Sequence, residues 1–480
     1  MKSLRVISAA CFVLAIALGF ASAQTWTPLT NQPPRFRPGT ALLLMDGRVL
    51  AQDNDQSDYW TLTPDNTGSY LNGTWTQVAS LPSGYGPEYY ASAVLPDGRV
   101  VVMGGEYNLG TTEWTTLGAI YNPETNVWNS VQAPSGWTTI GDAQSVVLPN
   151  GTFMLANCCT EDQALLNEQK LTWTPTGAGK EDENDEEGWT LLPNGEVLTV
   201  DTNSKRNMAS EIYDPVVGAW YYAGSTVVEL IKVAFGEIGP AVLRPDGTVL
   251  ATGGNGNNAV YDTSTGTWSA APPFPSNQQG QQLDIADGPA AILPDGNVLC
   301  MTSPNVYVNG AVFFEWDGAN FNQTVDIPRA PLDSSYVGRM LVLPTGQILF
   351  TDGSTDVEVY TSTGVPNPSW APTITKFAKT IVHGKNSILS GTQFNGLSQG
   401  AAYGDDAQMA TNYPLVRITN NATGHVFYAR SFKPSTMGVA TGSKIVRTHF
   451  QVPSGIELGA SQLEVVANGI ASNPVSVTIK

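Results

Sequence analysis

A short turn motif recurs seven times along the 480 residues, and few folds accommodate such a pattern. The copies are MDGRVL (45–50), PDGRVV (96–101), PNGTFM (149–154), PNGEVL (193–198), PDGTVL (245–250), PDGNVL (294–299) and PTGQIL (344–349). Their glycines are Gly47, Gly98, Gly151, Gly195, Gly247, Gly296 and Gly346, spaced 51, 53, 44, 52, 49 and 50 residues apart. Asp-Gly or Asn-Gly supplies the positive φ of a tight hairpin. The apolar runs on either side read as two strands buried on both faces. A third strand ends in Tyr and a turn, at Tyr121, Tyr213 and Tyr261. A Trp opens a fourth, at Trp75, Trp128, Trp173, Trp220 and Trp268. Four strands in ~50 residues make a propeller blade, which buries its faces only against neighbouring blades.

Seven turns predict an all-β, seven-bladed β-propeller over residues 24–370. The seventh blade has Tyr360 but no fourth strand of its own before Pro372. Residues 24–29, with Trp26, have the spacing of a fourth strand and are expected to close the ring, removing open sheet edges. Residues 371–480 lack the turn and alternate apolar with polar residues, as at 414–418, 445–452, 463–467 and 474–479. An immunoglobulin-like β-sandwich is expected there.

Composition matters here for what it excludes. A hydrophobic share of 41% with only 14% charged residues rules out a disordered chain. The net charge of −19 argues against nucleic acid, which needs a basic footprint. The charge is uneven. Residues 24–370 hold 38 acids and 12 bases, whereas 371–480 hold 4 and 9. Attraction between the two parts is one reading, and ordinary solvation is the other.

Residues 1–23 read as a secretory signal: Lys2 and Arg5, an apolar stretch over 9–20, then Ala21-Ser22-Ala23 before a cut at Gln24. The apolar run is shorter than a membrane span, and no later stretch is long enough. The expectation is a secreted protein, extracellular or periplasmic, monomeric and free of the membrane. Cys158, Cys159 and Cys300 remain after cleavage, too few for a disulfide framework. The adjacent pair Cys158-Cys159 is either a vicinal disulfide or two free thiols. Cys300 ends an apolar strand and reads as core.

The diglycines Gly104-Gly105 and Gly253-Gly254, the spaced Tyr and Trp, and the ~50-residue period resemble kelch repeats. A kelch propeller joined to a sandwich through Trp370-Ala371-Pro372 resembles the galactose oxidase and glyoxal oxidase group. That resemblance implies a copper site on the propeller axis. It is made by a Tyr crosslinked to a Cys, a Tyr followed by His, and a His from the C-terminal part, with an aromatic stacked beside it. The first Tyr falls on Tyr89, the stacking aromatic on Tyr107 and the second Tyr on Tyr336. The remaining positions depart from the pattern. Val337 stands where His is implied, Arg37 where the Cys is implied, and no His lies within 403–412. His383, His425 and His449 all lie after Trp370. Copper prefers imidazole, so this set argues against copper and its radical chemistry.

The residues eight and nine before each turn residue are expected at the mouth where the resemblance places its site. They are Arg37/Pro38, Glu88/Tyr89, Gly141/Asp142, Asp185/Glu186, Glu237/Ile238, Ala286/Asp287 and Tyr336/Val337. Five successive blades thus bring a carboxylate. Hard cations favour such oxygens, so calcium is the expected cation if one binds. The expected binding residues are Glu88, Asp142, Glu186, Glu237 and Asp287, with Tyr89, Tyr107 and Tyr336 as aromatic walls. The acidic run 181–187 is expected to be solvated and flexible. The favoured function is non-catalytic binding of carbohydrate or cell-surface material. Two alternatives stay open: an oxidase-like oxidoreductase with an altered metal site, and a carbohydrate hydrolase or lyase using carboxylates such as Asp142 and Asp287.

Overall fold

A computed structural model describes residues 24–206, 208–404 and 409–480. The signal reading at 1–23 lies outside these residues. Among those described, the chain is built from strands and three short 3-10 turns, and no helix is long and apolar enough to cross a membrane.

Five sheets each contain four antiparallel strands in chain order, the form of propeller blades; a sixth has a fifth strand added at its inner edge, and the last is completed by the N-terminal strand. The second blade, for example, runs Ala91–Val94, Val100–Met103, Gly118–Asn122 and Val127–Ser130. All seven turn glycines have φ between 80° and 91°. In six turns the preceding Asp or Asn accepts a hydrogen bond from the amide two residues on, as Asp97 Oδ1 does from Arg99 N (3.0 Å). This is the local reason the motif repeats: the carboxylate or amide fixes the turn, and Gly supplies the left-handed backbone.

Thr25–Pro28 pairs antiparallel with Glu358–Thr361, so the N-terminal strand completes the last sheet. The register repeats that of other blades. Trp26 lies opposite Tyr360, as Trp128 lies opposite Tyr121 and Trp220 opposite Tyr213. Ring separations are 4.9, 4.9 and 5.4 Å. The indole N–H groups reach back to the previous blade: Trp26 donates to Val325 O, Trp128 to Ala79 O and Trp173 to Gln132 O. Each of these three Trp side chains therefore fills its own sheet and clamps the one before it.

First strands of neighbouring blades contact one another in six of the seven places round the ring, including the last against the first. They are the innermost strands, so what precedes each of them faces one mouth of the channel and the hairpin turns face the other.

Residues 373–479 form a nine-stranded sheet curled round Leu389, Val416, Ile418, Phe450, Leu463 and Val477. The expected sandwich layers are joined by hydrogen bonds, because Val426–Phe432 pairs with Leu415–Asn420 on one side and Val446–Gln451 on the other. This sheet sits on the turn face. Ser431 N donates to Met45 O, Lys433 N to Pro96 O and Met437 N to Pro149 O, one for each of the first three turns. A Cβ on Gly47 would lie 2.5 Å from the Tyr428 ring, so glycine there also permits close approach. The ion pair Arg430–Glu124 (2.8 Å) crosses the same contact. Half-exposed pairs of this kind are worth only ~0–1 kcal/mol, so backbone hydrogen bonds and packing hold the contact more than charge does.

One segment leaves that face and enters the channel. Ala401–Ala402 pairs antiparallel with Ala290–Ala291, the inner strand of the sixth blade. Ile292 N donates to Gly400 O, and Leu191 N to Gln399 Oε1. The strand direction then carries Tyr403 to the far mouth.

Candidate binding site at the axial mouth

The mouth is made by the short stretches that lead into the inner strands. Three non-glycine residues there have a left-handed backbone: Tyr89 (φ 50°), Glu186 (56°) and Asp287 (45°). Each lies eight residues before its turn. Such a conformation costs of order 1–3 kcal/mol per residue and concentrates at functional sites.

A small sheet raises the second blade's share. Pro87–Glu88 pairs with Tyr107–Asn108, placing Glu88 opposite Tyr107. Together with Tyr89 and Tyr336 these residues line a cavity of about 310 Å³, completed by Asn54, Val337, Arg339 and Asp352. Asn54 Nδ2 donates to Glu88 Oε1 (2.9 Å). Burial, and a hydrogen bond shared with Asp55, push the Glu88 carboxyl up to about 7, against the pull of Asn54 and Arg339. Burial also raises the Tyr89 phenol, against the opposing charge of Arg339.

Arg339 is 6% exposed. Its guanidinium lies 3.6 Å from the Tyr403 ring centroid and 5.2 Å from that of Tyr89. Its Nη1 donates to Tyr336 O (2.8 Å) and Gly338 O (2.9 Å). The Tyr403 hydroxyl donates to the same Tyr336 carbonyl (2.7 Å). Sequence reasoning missed Arg339 and Tyr403. A signal for Arg339 existed: six residues before the turn, the other blades place Thr40, Ala91, Gln144, Gly188, Pro240 and Pro289, all uncharged. A charge in a run destined for burial needs a partner. Tyr403 had no such signal, because only the tertiary path of its segment brings it to the mouth.

The five expected carboxylates separate into three places. Glu88 faces the tyrosine cavity. Asp142 sits beside the Cys158 thiol, which is held well above its usual range by its contact with Cys159, by burial and by Asp142. Glu186, Glu237 and Asp287 come together, one oxygen of each within 4.8 Å of the others. Beside them, Tyr307 packs edge-on against Tyr336 (5.4 Å).

The acidic run is not a solvated loop. Asp182, Asn184 and Glu187 are buried. The side chain of Lys180, fully enclosed, donates to Glu187 Oε1 (2.9 Å) and Glu211 Oε2 (2.5 Å). Asp182 Oδ2 accepts from the amides of Thr202 and Asn203. A buried ammonium and backbone donors thus organise a sequence that charge alone would leave in water. Cys158 and Cys159 are free thiols, not a vicinal bridge, and both Sγ atoms approach Asp185 Oδ1 (3.9 and 3.5 Å). Cys300 is buried, as expected.

The chain is similar to the kelch-like protein terF of Aspergillus terreus, 21% identical over 312 residues, which are 57% of this chain and 65% of that protein. The match therefore spans a little less than two thirds of terF. A fungal alcohol oxidase of the AA5 family, solved in complex with copper, superimposes with a TM-score of 0.53 at 12% identity, covering 96% of this chain and all of that one. The chain has a propeller fold, with sequence similarity to a kelch-like protein. It is related in fold to that copper alcohol oxidase. An inactive virginiamycin B lyase from Staphylococcus aureus, solved with quinupristin, matches 71% of this chain and 99% of its own at a TM-score of 0.50 and 11% identity. No protein-family model matches.

The residues at this propeller's mouth do not fit copper of the oxidase kind. Val337 offers no donor, and Arg37 lies exposed where a crosslinking thiol is implied. His383 hydrogen-bonds Ser454 O, His425 pairs with Glu457, and His449 packs on Phe432, all in the C-terminal sheet. Above Tyr89, a fixed guanidinium repels any metal cation.

Proposed function

We propose that the protein is an exported, monomeric, non-catalytic binding protein whose axial cavity takes a carbohydrate, or a similar polyhydroxylated group of cell-surface material. In this reading the seven sheets form a single kelch ring over residues 24–370, and 371–480 is a variant of the immunoglobulin-like sandwich. The observation that carries the reading is the cavity lined by Tyr89, Tyr107 and Tyr336 with Asn54, Glu88 and Asp352. Aromatic faces suit the C–H faces of a sugar, while amide and carboxyl groups meet its hydroxyls. A cavity of about 310 Å³ is of monosaccharide scale. Glycan-array screening followed by calorimetry tests this. Binding should weaken in Tyr107→Ala with the fold intact, and a wild type that retains no glycan would sink it.

The fold likeness to a copper oxidase favours a second reading, an oxidoreductase with a rebuilt metal site. Metal analysis separates the two. The first predicts no stoichiometric copper and no peroxide from alcohols or aldehydes, and finding both would replace it.

A further inference from the structure

Glu186, Glu237 and Asp287 precede the inner strands of three successive blades, and one oxygen from each lies within 4.8 Å of the other two. Two oxygens bound to one calcium ion at ~2.4 Å can stand at most ~4.8 Å apart, so this spacing lets all three reach a single ion. Clustered carboxylates alone are common on acidic proteins. What distinguishes this group is Glu237, only 5% exposed, whose Oε2 is buried and has no hydrogen-bond partner among the described residues. An unsatisfied buried carboxylate oxygen on a residue grouped with two further carboxylates is costly unless something positive compensates it. Lys232, whose backbone pairs with that of Glu237, sends its ammonium to Asp284 (3.3 Å).

We propose that Glu186, Glu237 and Asp287 form a calcium site at the axial mouth, distinct from the tyrosine cavity and independent of what that cavity binds. Three monodentate oxygens leave the ion open positions for water or ligand hydroxyls. The left-handed backbone of Glu186 and Asp287 then has a purpose, since it aims both side chains at one point. Calcium is favoured over magnesium because the donors come from three separate blades. Calcium accepts irregular shells of 6–8 oxygens, whereas magnesium demands a near-ideal octahedron. The neighbouring Tyr307 phenol agrees with a site of concentrated negative charge: partial burial, followed by Glu237, Asp287, Glu186 and Glu106, pushes it up to about 12.

The test is calorimetry of chelator-treated protein with calcium chloride, repeated with magnesium chloride and with Glu237→Gln. We expect one calcium per chain, and affinity at least about tenfold lower in E237Q, since even outer partners of metal ligands cost 10–100-fold. Thermal unfolding guards against a folding defect. Without metal, E237Q should melt no lower than wild type, because it relieves repulsion, and the same calcium concentration should raise the midpoint of wild type more than that of E237Q. Absent heats in folded wild type, unchanged affinity in E237Q, or tighter binding of magnesium than calcium would each overturn the assignment.

Discussion

The guanidinium of Arg339 stacks 3.6 Å from the ring centroid of Tyr403, joining the inner strand of the last blade to a segment that arrives from the C-terminal sheet. Tyr336 O accepts a hydrogen bond from both. One carbonyl and two side chains thus tie the blade to the axial segment at the mouth.

Arg339→Ala should therefore cost about 3 kcal/mol, combining a desolvated cation–π contact worth ~2 with lost charge-assisted hydrogen bonds. Arg339→Lys should recover only part, because an ammonium lacks the planar face that stacks on Tyr403. Urea denaturation of the two variants measures this. Equal stability of Lys and Arg would show that charge, not stacking, holds the contact.

Closure of the ring rests on Trp26, which packs on Phe313 (5.0 Å), Phe350 (5.5 Å) and Tyr360 (4.9 Å). Trp26→Ala should destabilise by about 3–5 kcal/mol, as large-to-small changes in packed aromatic clusters do. Hydrogen exchange should then rise at Glu358–Thr361, the strand that would lose its partner. Unchanged protection there would mean the closing strand contributes little.

Lys180 neutralises part of a buried acidic group. Burial works against its charge, but Glu187, Glu211 and Asp201 outweigh it and hold the ammonium above its ordinary range. Lys180→Met leaves Glu187 and Glu211 enclosed without their cation, and should cost about 3–5 kcal/mol. Adding Glu211→Gln should recover some of it. A single variant as stable as wild type would contradict the network.

Several carboxyls make stability fall as pH rises. Glu88 is pushed up to about 7 from an ordinary 4.5, first by burial. Glu358 reaches about 7 and Asp284 about 6, again chiefly through burial. An acid whose folded pKa is raised holds a proton that the unfolded chain has released. Its stabilising share is complete below its unfolded value and disappears as pH climbs through 6 to 7. The thermal midpoint should be lower at pH 8 than at pH 5, and Glu88→Gln should narrow that gap. A midpoint that rises over this interval would reverse the assignment.

The repeat made the blades legible in the sequence because each depends on local rules: an Asp or Asn that fixes a turn, a Gly with positive φ, and a Tyr facing a Trp across two strands. Trp26 could be placed beside Tyr360, 334 residues away, because Trp128, Trp220 and Trp268 face Tyr121, Tyr213 and Tyr261 in the same register. The turn offsets also placed Glu88, Tyr89 and Tyr336 at one mouth, since equal offsets from equal turns reach equal heights, and the family resemblance added Tyr107. Tertiary structure decided the rest. It split five equivalent carboxylates into a tyrosine cavity, a thiol contact and a trio, because neighbours outside the repeat differ from blade to blade. It folded the run 181–187 inward, because a buried Lys180 and distant backbone amides can hold charges that composition assigns to solvent. It set a guanidinium over Tyr89, because a chain entering along the axis supplied Tyr403 as its other face. Offsets fix where a residue stands in the ring; only the packed molecule fixes what it faces.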